Sequence, residues 1–388
     1  MKKKYITFSL VTLVLVAFVT SFNYFKTTNT YVENNSNNQT KITKGISMNL
    51  EQTAGAGDYK TVTRSSWPTE GYKFNTELSR CENGGEINWD DINKKVIVTG
   101  NVSDKCYVYF DIWIPSIAAY CTSGTDLATC VKNFGDQGPS VSNIYIHNSA
   151  LTNGAGDNSY RYAGANPNNY VCFGSEATTC PDANLFRIIG VFGDQAKVIR
   201  AKSVGDQPWH TSQVNNWSSS SLNTYLNGEY LTSLGTLAEK IATTTWKVGG
   251  GDEANISFSV PATAYQYEVG SSASTTTVDK KIGLMYVSDY YYGASPSAWK
   301  LVGYNSSDAT KDYRAATSTN WLYLGSTEWT ISRNSGYTYL AFLVNSAGYV
   351  YYSGYVPVSL AVRPSFNLLS SVKYISGSGS MSDPVRIN

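Results

Sequence analysis

The chain has 388 residues, which is enough for two or three domains, and hydrophobic residues make up 42% of it, enough for a sizeable core. Charged residues contribute only 15% and the formal net charge is +1. Because no long basic run follows the first residues, the composition argues against electrostatic binding of nucleic acid. The polarity comes instead from Ser, Thr, Asn, Gly and 30 Tyr, a mixture that favours short strands and turns.

The first 25 residues have the layout of an export signal. A basic cluster at residues 2–4 precedes an apolar run over residues 5–25. This order is typical of a secretory signal, but the run also approaches the length that spans a bilayer. Residues 1–25 are therefore predicted to be either a signal peptide or a membrane anchor. In both cases the rest of the chain is expected to be secreted or extracellular. Contact with a membrane is expected only if the segment is an anchor.

The number of cysteines, six, is consistent with an exported protein. An even number of cysteines in an exported chain favours disulfides. The chain lacks a C-x-x-C motif and has only two histidines, so zinc is disfavoured, and no metal or cofactor is expected. Many connectivities exist for six cysteines, and pairing of nearest neighbours is our hypothesis. The three predicted pairs are Cys81 with Cys106, Cys121 with Cys130, and Cys172 with Cys180.

The composition changes along the chain and suggests four segments after the signal or anchor. Residues 26–66 lack apolar periodicity and are predicted to be a flexible linker. Residues 67–116 are predicted to form a small β module, with a hairpin that turns at residues 101–105. Residues 117–139 are interpreted as a disulfide-stapled connector, and residues 140–388 as the main domain.

Within these segments the local patterns predict particular elements. The connector contains DLATCVKNF, a short helix capped by Thr125 and ended by Gly135. In the main domain, LFRIIGVFGDQAKVIRA at 185–201 predicts a hairpin. The segment WSSSSLNTYLN at 217–227 predicts a serine-capped helix that ends at Gly228.

The last third of the chain continues this pattern. KIGLMYV at 281–287 is typical of a strand, and DYYYGASPSAW at 289–299 is predicted to be an exposed aromatic loop. Residues 321–368 are expected to form several short strands that end at Gly, Asn, Ser or Pro turns. A final hairpin is expected around residues 377–382.

Residues 321–368 also have the composition of a recognition surface. Tyrosine gives large rigid contacts, and Ser, Gly and Asn give adaptable hydrogen bonds. Since alternate residues of a strand share one face, Tyr349, Tyr351 and Tyr355 are the strongest candidates. The predicted ligand-binding residues are Tyr337, Tyr339, Tyr349, Tyr351, Tyr355, Tyr290, Tyr291 and Tyr292.

The order of these motifs carries a resemblance. The hairpin at 185–201 is followed by W-S-S-S-S-L-N-x-Y-L-N, then by N-W-L-Y-L-G-S-T-E-W-T from Asn320, and finally by V-R-P-S-F-N-L from Val362. This order resembles an uncharacterised domain family of exported bacterial proteins. The paired tryptophans and the Arg-Pro strand are also similar to the C-type-lectin-like fold, which sugar binders, protein binders and formylglycine-generating enzymes share. The chain departs from the family pattern at Asn223, where arginine is expected, and at Ala361.

The resemblance implies an α+β fold, in which the small β module precedes a lectin-like domain of short antiparallel strands with one or two helices. It does not imply catalysis, because the formylglycine-generating enzymes depend on cysteines late in the chain and the last cysteine here is Cys180. Trp217, Trp321 and Trp329 are interpreted as core residues. Arg363 is expected to be held in buried hydrogen bonds that lock the last strand.

These observations predict a non-enzymatic exported protein that recognises an extracellular protein or glycan through tyrosine-rich loops. Two other hypotheses stay open. The first is a structural cell-surface component whose tyrosines lie in subunit contacts. The second is a glycan-cleaving enzyme, in which Asp289 and Glu328 would form the required pair of carboxylates in one cleft. No nucleophile motif supports the enzyme.

Overall fold

The computed structural model describes residues 45–388 apart from 54–55, 64–66, 69–70, 91–92, 94, 101–103 and 114. The predicted signal or anchor and the first part of the predicted linker lie outside the described residues. The chain divides into two compact units, one that ends at residue 114 and one that spans residues 115–388. The fold is mixed α/β with strands predominating. Among the described helices, none is both long and apolar enough to cross a bilayer.

The first unit is built from strands. A four-stranded sheet has the order β2-β1-β6-β3, and β4 and β5 form a separate antiparallel pair. The strands are β1 Gly45–Glu51, β2 Tyr59–Val62, β3 Tyr72–Cys81, β4 Glu86–Asp90, β5 Lys95–Thr99 and β6 Lys105–Ile112.

Two predictions for this unit are wrong. The flexible linker does not extend to residue 66, because β1 pairs in parallel with β6 and antiparallel with β2. Met48 and Leu50 of β1 are buried in the small core, which supplies the apolar contact that the surrounding polar residues conceal in the sequence. The predicted hairpin that turns at residues 101–105 is also wrong, because within the described residues β5 pairs with β4, while β6 pairs with β1 and β3.

The second unit contains short helices. They are α1 Leu127–Gly135, α2 Pro139–Ser142, α3 Ser221–Tyr225, α4 Leu231–Ser233, α5 Glu253–Ile256, α6 Pro261–Glu268 and α7 Val287–Gly293. The predicted helix α1 begins after Asp126, rather than at the Thr125 cap, and ends at Gly135. The apolar face of α1 lies in the main core through Val131 and Phe134. The segment 117–139 is therefore part of the second unit and not a separate connector.

Three groups of strands surround this core. The strands are β7 Ile144–Ile146, β8 Tyr160–Tyr162, β9 Tyr170–Cys172, β10 Leu185–Phe192, β11 Gln195–Arg200, β12 Asp206–Pro208, β13 Thr244–Lys247, β14 Thr277–Lys280, β15 Glu328–Arg333, β16 Leu340–Val344, β17 Val350–Tyr355, β18 Ser359–Ala361, β19 Ser365–Asn367, β20 Tyr374–Ser376 and β21 Val385–Ile387. An eight-stranded sheet runs β19-β11-β10-β9-β21-β20, with β8 against β10 and β7 against β8. A five-stranded sheet runs β12-β18-β15-β16-β17, and β13 pairs with β14.

The local predictions for the second unit have mixed outcomes. The hairpin of β10 and β11 and the final hairpin of β20 and β21 are confirmed. The serine-capped helix is confirmed at Ser220, whose side chain accepts a hydrogen bond from the Asn223 N–H. It does not end at Gly228, because a π-helical turn over Leu226–Tyr230 continues it into α4. The strand predicted at 281–287 is absent, since these residues form only an isolated bridge before α7 begins.

The cysteines form the three predicted neighbouring pairs, which confirms disulfide bonding. Cys81 and Cys106 are directly opposed on β3 and β6. Cys121 ties the segment before α1 to Cys130 on that helix. Each bridge closes a short loop and therefore removes conformational freedom from the unfolded chain.

Arg363, which lies between β18 and β19, links β15 of the five-stranded sheet to the loop that contains Leu322. Its Nε and Nη2 atoms each lie 2.7 Å from a carboxylate oxygen of Glu328 on β15, and Nη2 also lies 2.6 Å from the Leu322 carbonyl oxygen. Both charged side chains are buried. Burial raises the pKa of Glu328, and the charge and hydrogen bonds of Arg363 oppose this rise. The geometry agrees with the expectation that the guanidinium is held in buried hydrogen bonds.

We predict that Arg363→Met lowers the free energy of unfolding by about 3–5 kcal/mol, because it leaves the Glu328 carboxylate buried without its cation. The loss of Arg363 also raises the pKa of Glu328 further in the folded state. A raised folded-state pKa favours folding below the unfolded-state pKa of about 4.3 and loses that contribution as the pH rises through the folded-state value. The deficit of the variant should therefore shrink as the solution is acidified.

Denaturant unfolding of the wild type and the variant between neutral and acidic pH measures this difference. The matched double variant Arg363→Met with Glu328→Leu removes both charges and should recover most of the stability. A deficit that is independent of pH, or a double variant that is less stable than Arg363→Met, would contradict the buried ion pair.

Candidate functional site

The predicted tyrosine surface divides into two groups. Tyr351 opposes Leu343 on β16, and Tyr355 opposes Leu340. Between these pairs β17 has one residue more than β16, which is a β-bulge. Because Leu340 and Leu343 are three positions apart, their side chains point to opposite faces of the sheet, and so do Tyr351 and Tyr355. The prediction that Tyr349, Tyr351 and Tyr355 share one face is therefore wrong.

The exposed group consists of Tyr337, Tyr339 and Tyr355, which we call the tyrosine face. The three residues are 43%, 42% and 39% exposed. The ring centroid of Tyr339 lies 6.2 Å from that of Tyr337 and 6.3 Å from that of Tyr355, both in edge-on contact. Within the described residues, none of the three hydroxyl groups has a hydrogen-bond partner. The face therefore presents three adjacent rings whose polar tips are free to bind another molecule.

A buried asparagine fixes the loop that carries this face. Asn215 is 2% exposed, and its Nδ2 atom lies 2.8 Å from the Asn334 carbonyl oxygen, 2.7 Å from that of Tyr337 and 2.6 Å from that of Leu340. Its backbone N–H donates to the Thr338 carbonyl oxygen at 2.6 Å. The loop is thus held before any ligand arrives, which lowers the entropy cost of binding. Asn215 is distant in sequence from the face, and nothing in its local pattern marked it.

Exposed apolar residues flank the tyrosine face. Val358 is 46% exposed and its N–H donates to the Tyr355 carbonyl oxygen in a turn. Val214 is 48% exposed and directly precedes Asn215. Val358 is thus bonded through its backbone to a residue of the face, and Val214 is the chain neighbour of the asparagine that anchors its loop.

The second group contains the remaining predicted tyrosines of this region, Tyr349 and Tyr351, which are half-buried. The ring centroid of Tyr304 lies 4.8 Å from that of Tyr349 and 6.0 Å from that of Tyr351. The Arg314 guanidinium lies over the Tyr349 ring, 5.3 Å from its centroid, and its Nη2 atom is 2.6 Å from a carboxylate oxygen of Asp312. These rings pack on one another and on Arg314, so their main contacts are structural.

The predicted aromatic loop at 289–299 is wrong in both conformation and exposure. Tyr290, Tyr291 and Tyr292 lie on α7 and are at most 1% exposed. The Tyr290 hydroxyl donates to the Gly348 carbonyl oxygen at 2.7 Å, and the Tyr291 hydroxyl donates to that of Ile256 at 2.9 Å. Desolvation raises the pKa of all three phenols. These tyrosines are core residues and do not contribute to a binding surface.

The tryptophans interpreted as core residues are buried. Trp321 Nε1 donates to the Tyr162 carbonyl oxygen at 2.9 Å, and Trp329 Nε1 donates to that of Gln207 at 3.0 Å. Trp217 lies in the same core. Their rings are enclosed by protein, so they present no stacking platform to a sugar.

The two carboxylates of the glycosidase hypothesis lie in separate ion pairs. Glu328 is bound by Arg363, whereas Asp289 lies 2.5 Å from Lys197 Nζ and 3.6 Å from Arg161 Nη1. All these side chains are buried. Neither carboxylate is therefore positioned as a free general acid or base.

Near Asp289 the charges form a network. Arg161 Nη2 lies 2.6 Å from Asp157 Oδ2. Burial raises the pKa of Asp157, but the charge of Arg161 and the hydrogen bonds from Ser159 and Arg161 outweigh this effect and lower it to about 2. Desolvation lowers the pKa of Lys197, and the Asp289 carboxylate opposes that change. The network keeps its carboxylates paired with cations of the same chain.

One cluster in the described part of the first unit has potential metal ligands in proximity, namely Cys81, Cys106 and Asp104. Both sulfur atoms belong to a disulfide, and metal binding requires thiolates. The Asp104 carboxylate accepts hydrogen bonds from the N–H groups of Asn83 and Gly85, at 2.8 Å and 2.9 Å. The cluster is thus a loop clamp rather than a metal site.

Comparisons of the chain with family models, with curated proteins and with solved structures find no match. The candidate site is therefore assigned from its geometry. Among the predicted residues, the structure brings together Tyr337, Tyr339 and Tyr355 at the surface, and it adds Asn215 as their anchor.

We predict that Asn215→Ala lowers the free energy of unfolding by about 2–3 kcal/mol, because it leaves buried carbonyl groups of the loop without their donor. Amide hydrogen exchange over residues 335–340 should become faster, since the loop loses its attachment. Hydrogen exchange with mass spectrometry and denaturant unfolding measure the two effects.

Asn133→Ala is the matched control, since Asn133 is exposed on α1 and its side chain has no hydrogen-bond partner among the described residues. Its stability should stay within about 0.5 kcal/mol of the wild type. Unchanged exchange of the loop in Asn215→Ala would contradict the anchoring role.

Proposed function

We propose that this chain is a non-enzymatic recognition protein that binds an extracellular protein or glycan through the tyrosine face. The observation that carries the proposal is the row of three adjacent, exposed rings whose hydroxyl groups are free. A tyrosine loses little conformational entropy on binding, and it combines a large apolar contact with one hydrogen bond. Binding surfaces are accordingly enriched in this residue.

The rigidity of the face supports the same proposal. Asn215 holds the loop of Tyr337 and Tyr339, and β17 holds Tyr355 in the five-stranded sheet. An exposed aromatic cluster on a mobile loop would lose entropy when a ligand orders it, whereas this one is already ordered. The arrangement suits a binding surface better than a hinge or a lid.

The proposal includes an exported location and a lectin-like architecture for the second unit. Three disulfides are consistent with an oxidising compartment, because disulfides are rare in the cytosol. A unit of short, mostly antiparallel strands with short helices is compatible with the C-type-lectin-like resemblance, although β9 pairs with β21 and β15 with β18 in parallel. Glycan cleavage by Asp289 and Glu328 receives no support from the ion pairs that hold both carboxylates.

We predict that replacing Tyr337, Tyr339 and Tyr355 with alanine weakens binding to the partner by at least about tenfold, since tyrosines at the centre of an interface often contribute more than 1 kcal/mol each. The full-length protein would be screened on glycan and protein arrays, and the affinity for each hit would be measured for the wild type and the triple variant. Because the three hydroxyls bond nothing within the described structure, the triple variant should stay folded.

The matched control changes three exposed apolar residues outside the face, Leu369, Ile375 and Met381, to alanine. It should bind like the wild type. Wild-type affinity in the folded tyrosine variant would refute the face as the binding site. Self-association of the wild type that the tyrosine variant loses, without binding to any array component, would favour a structural surface component instead.

A further inference from the structure

A cavity of about 150 Å³ lies in the second unit, away from the residues of the tyrosine face. Its lining includes β13, residues of the β10–β11 hairpin and residues of α7. The volume is similar to that of an engineered protein cavity that takes up benzene. The buried part of the lining carries both charges and aromatic rings, namely Arg161, Lys197, Trp246, Tyr286 and Asp289.

The carboxylates of the cavity are already neutralised. Asp289 Oδ2 accepts hydrogen bonds from Lys197 Nζ at 2.5 Å and from the Tyr286 N–H at 2.9 Å. Asp157 is held by Arg161 and by the Ser159 hydroxyl. A cationic guest would find no free carboxylate, and it would also face the three cationic residues of the lining, Arg161, Lys197 and Lys247. The cavity is therefore unsuited to amines.

The ammonium group of Lys197 retains free donors. Lys197 is 5% exposed, and of its three N–H groups one is used by Asp289. Its Nζ atom also lies 4.7 Å from the centroid of the Tyr286 ring and 5.4 Å from that of Trp246. No second hydrogen-bond acceptor contacts it within the described part of the chain. Because buried donors without acceptors are costly, the cavity favours a guest that brings an acceptor.

Asn367 adds a free acceptor next to these donors. It is the directly opposed neighbour of Lys197 across β19 and β11, so both side chains lie on the same face of the sheet. Its Nδ2 atom donates to Thr244 Oγ1 at 3.2 Å. Its Oδ1 atom is buried and has no donor. A guest with a hydroxyl beside its anionic group would satisfy both neighbours at once.

We propose that the cavity binds a small 2-hydroxycarboxylate with an apolar ring. The carboxylate accepts hydrogen bonds from Lys197, and the neighbouring hydroxyl donates to Asn367 Oδ1. The ring packs against the aromatic part of the lining, which Phe192, Trp246 and Tyr286 supply. This site is separate from the tyrosine face, so the failure of either proposal leaves the other unaffected.

The test uses three probes that share a phenyl ring and differ in the polar group. Mandelate carries a carboxylate and the adjacent hydroxyl, phenylacetate lacks the hydroxyl, and 2-phenylethylamine carries a cation. Calorimetric titration of the full-length protein should give saturable mandelate binding with a dissociation constant on the order of 1 mM or tighter. Phenylacetate should bind about five- to tenfold more weakly, because Asn367 then stays unsatisfied, and the amine should not bind.

Two variants locate the site. Asn367→Ala should remove the advantage of mandelate over phenylacetate and leave phenylacetate binding unchanged. Lys197→Met should weaken both acids by about tenfold or more, since a hydrogen bond to a charged group is lost. The control Lys202→Met changes an exposed lysine that pairs with Asp182 at 2.6 Å, and it should bind like the wild type.

Titration of the wild type with the three probes can overturn the proposal by itself. The test therefore does not depend on whether the Lys197 variant folds. Binding of 2-phenylethylamine as tight as that of mandelate, or the absence of saturable mandelate binding, refutes the anion site. Mandelate binding that Asn367→Ala leaves at the wild-type level refutes the role of the hydroxyl contact.

Discussion

The second unit depends on buried tyrosine and tryptophan side chains whose polar tips donate to the backbone of distant segments. Tyr290 reaches the Gly348 carbonyl oxygen, Tyr291 reaches that of Ile256, and Trp209 reaches that of Thr330 at 3.0 Å. Each such residue fills core volume and also satisfies a backbone acceptor in a loop. Since the helices and many of the strands are short, backbone ladders leave many groups unpaired. The aromatic tips therefore connect segments that regular secondary structure does not.

Buried cations also connect separate segments of the core. Few residues of the chain are charged, yet two arginines, Arg161 and Arg187, and one lysine, Lys197, are buried over aromatic rings. The Arg187 guanidinium lies 4.3 Å from the Tyr170 ring centroid and 4.5 Å from that of Trp321, and it donates to three further groups through its nitrogen atoms. Burial lowers the pKa of Arg187 to about 10, so it stays charged at neutral pH. A buried cation with several acceptors fixes the directions of the segments around it, which a purely apolar contact would not do.

These contacts explain how much the sequence could predict. Short-range patterns identified the β10–β11 hairpin, α1 and the serine cap of α3, because each depends on neighbouring residues. The exposure of individual tyrosines was not predictable, since the same residue type covers the surface at Tyr355 and fills the core at Tyr290. The bulge in β17 is the reason that Tyr351 and Tyr355 do not share a face, because one additional residue reverses the face of the side chains that follow it in the strand. Likewise, the sequence of β1 alone is typical of a polar linker, and only its pairing with β6 identifies it as a strand.

The difference between the two kinds of tyrosine bears on how such a fold could carry recognition. The buried hydroxyls hold backbone carbonyls, so a change there removes a structural hydrogen bond and leaves a buried acceptor unpaired. The hydroxyls of Tyr337, Tyr339 and Tyr355 hold nothing within the described chain, and the loop beneath them is held by Asn215 instead. Stability and surface chemistry therefore reside in different side chains. A loop whose conformation does not depend on its outward-facing residues can exchange those residues without losing its shape, and that independence is the property a recognition surface requires.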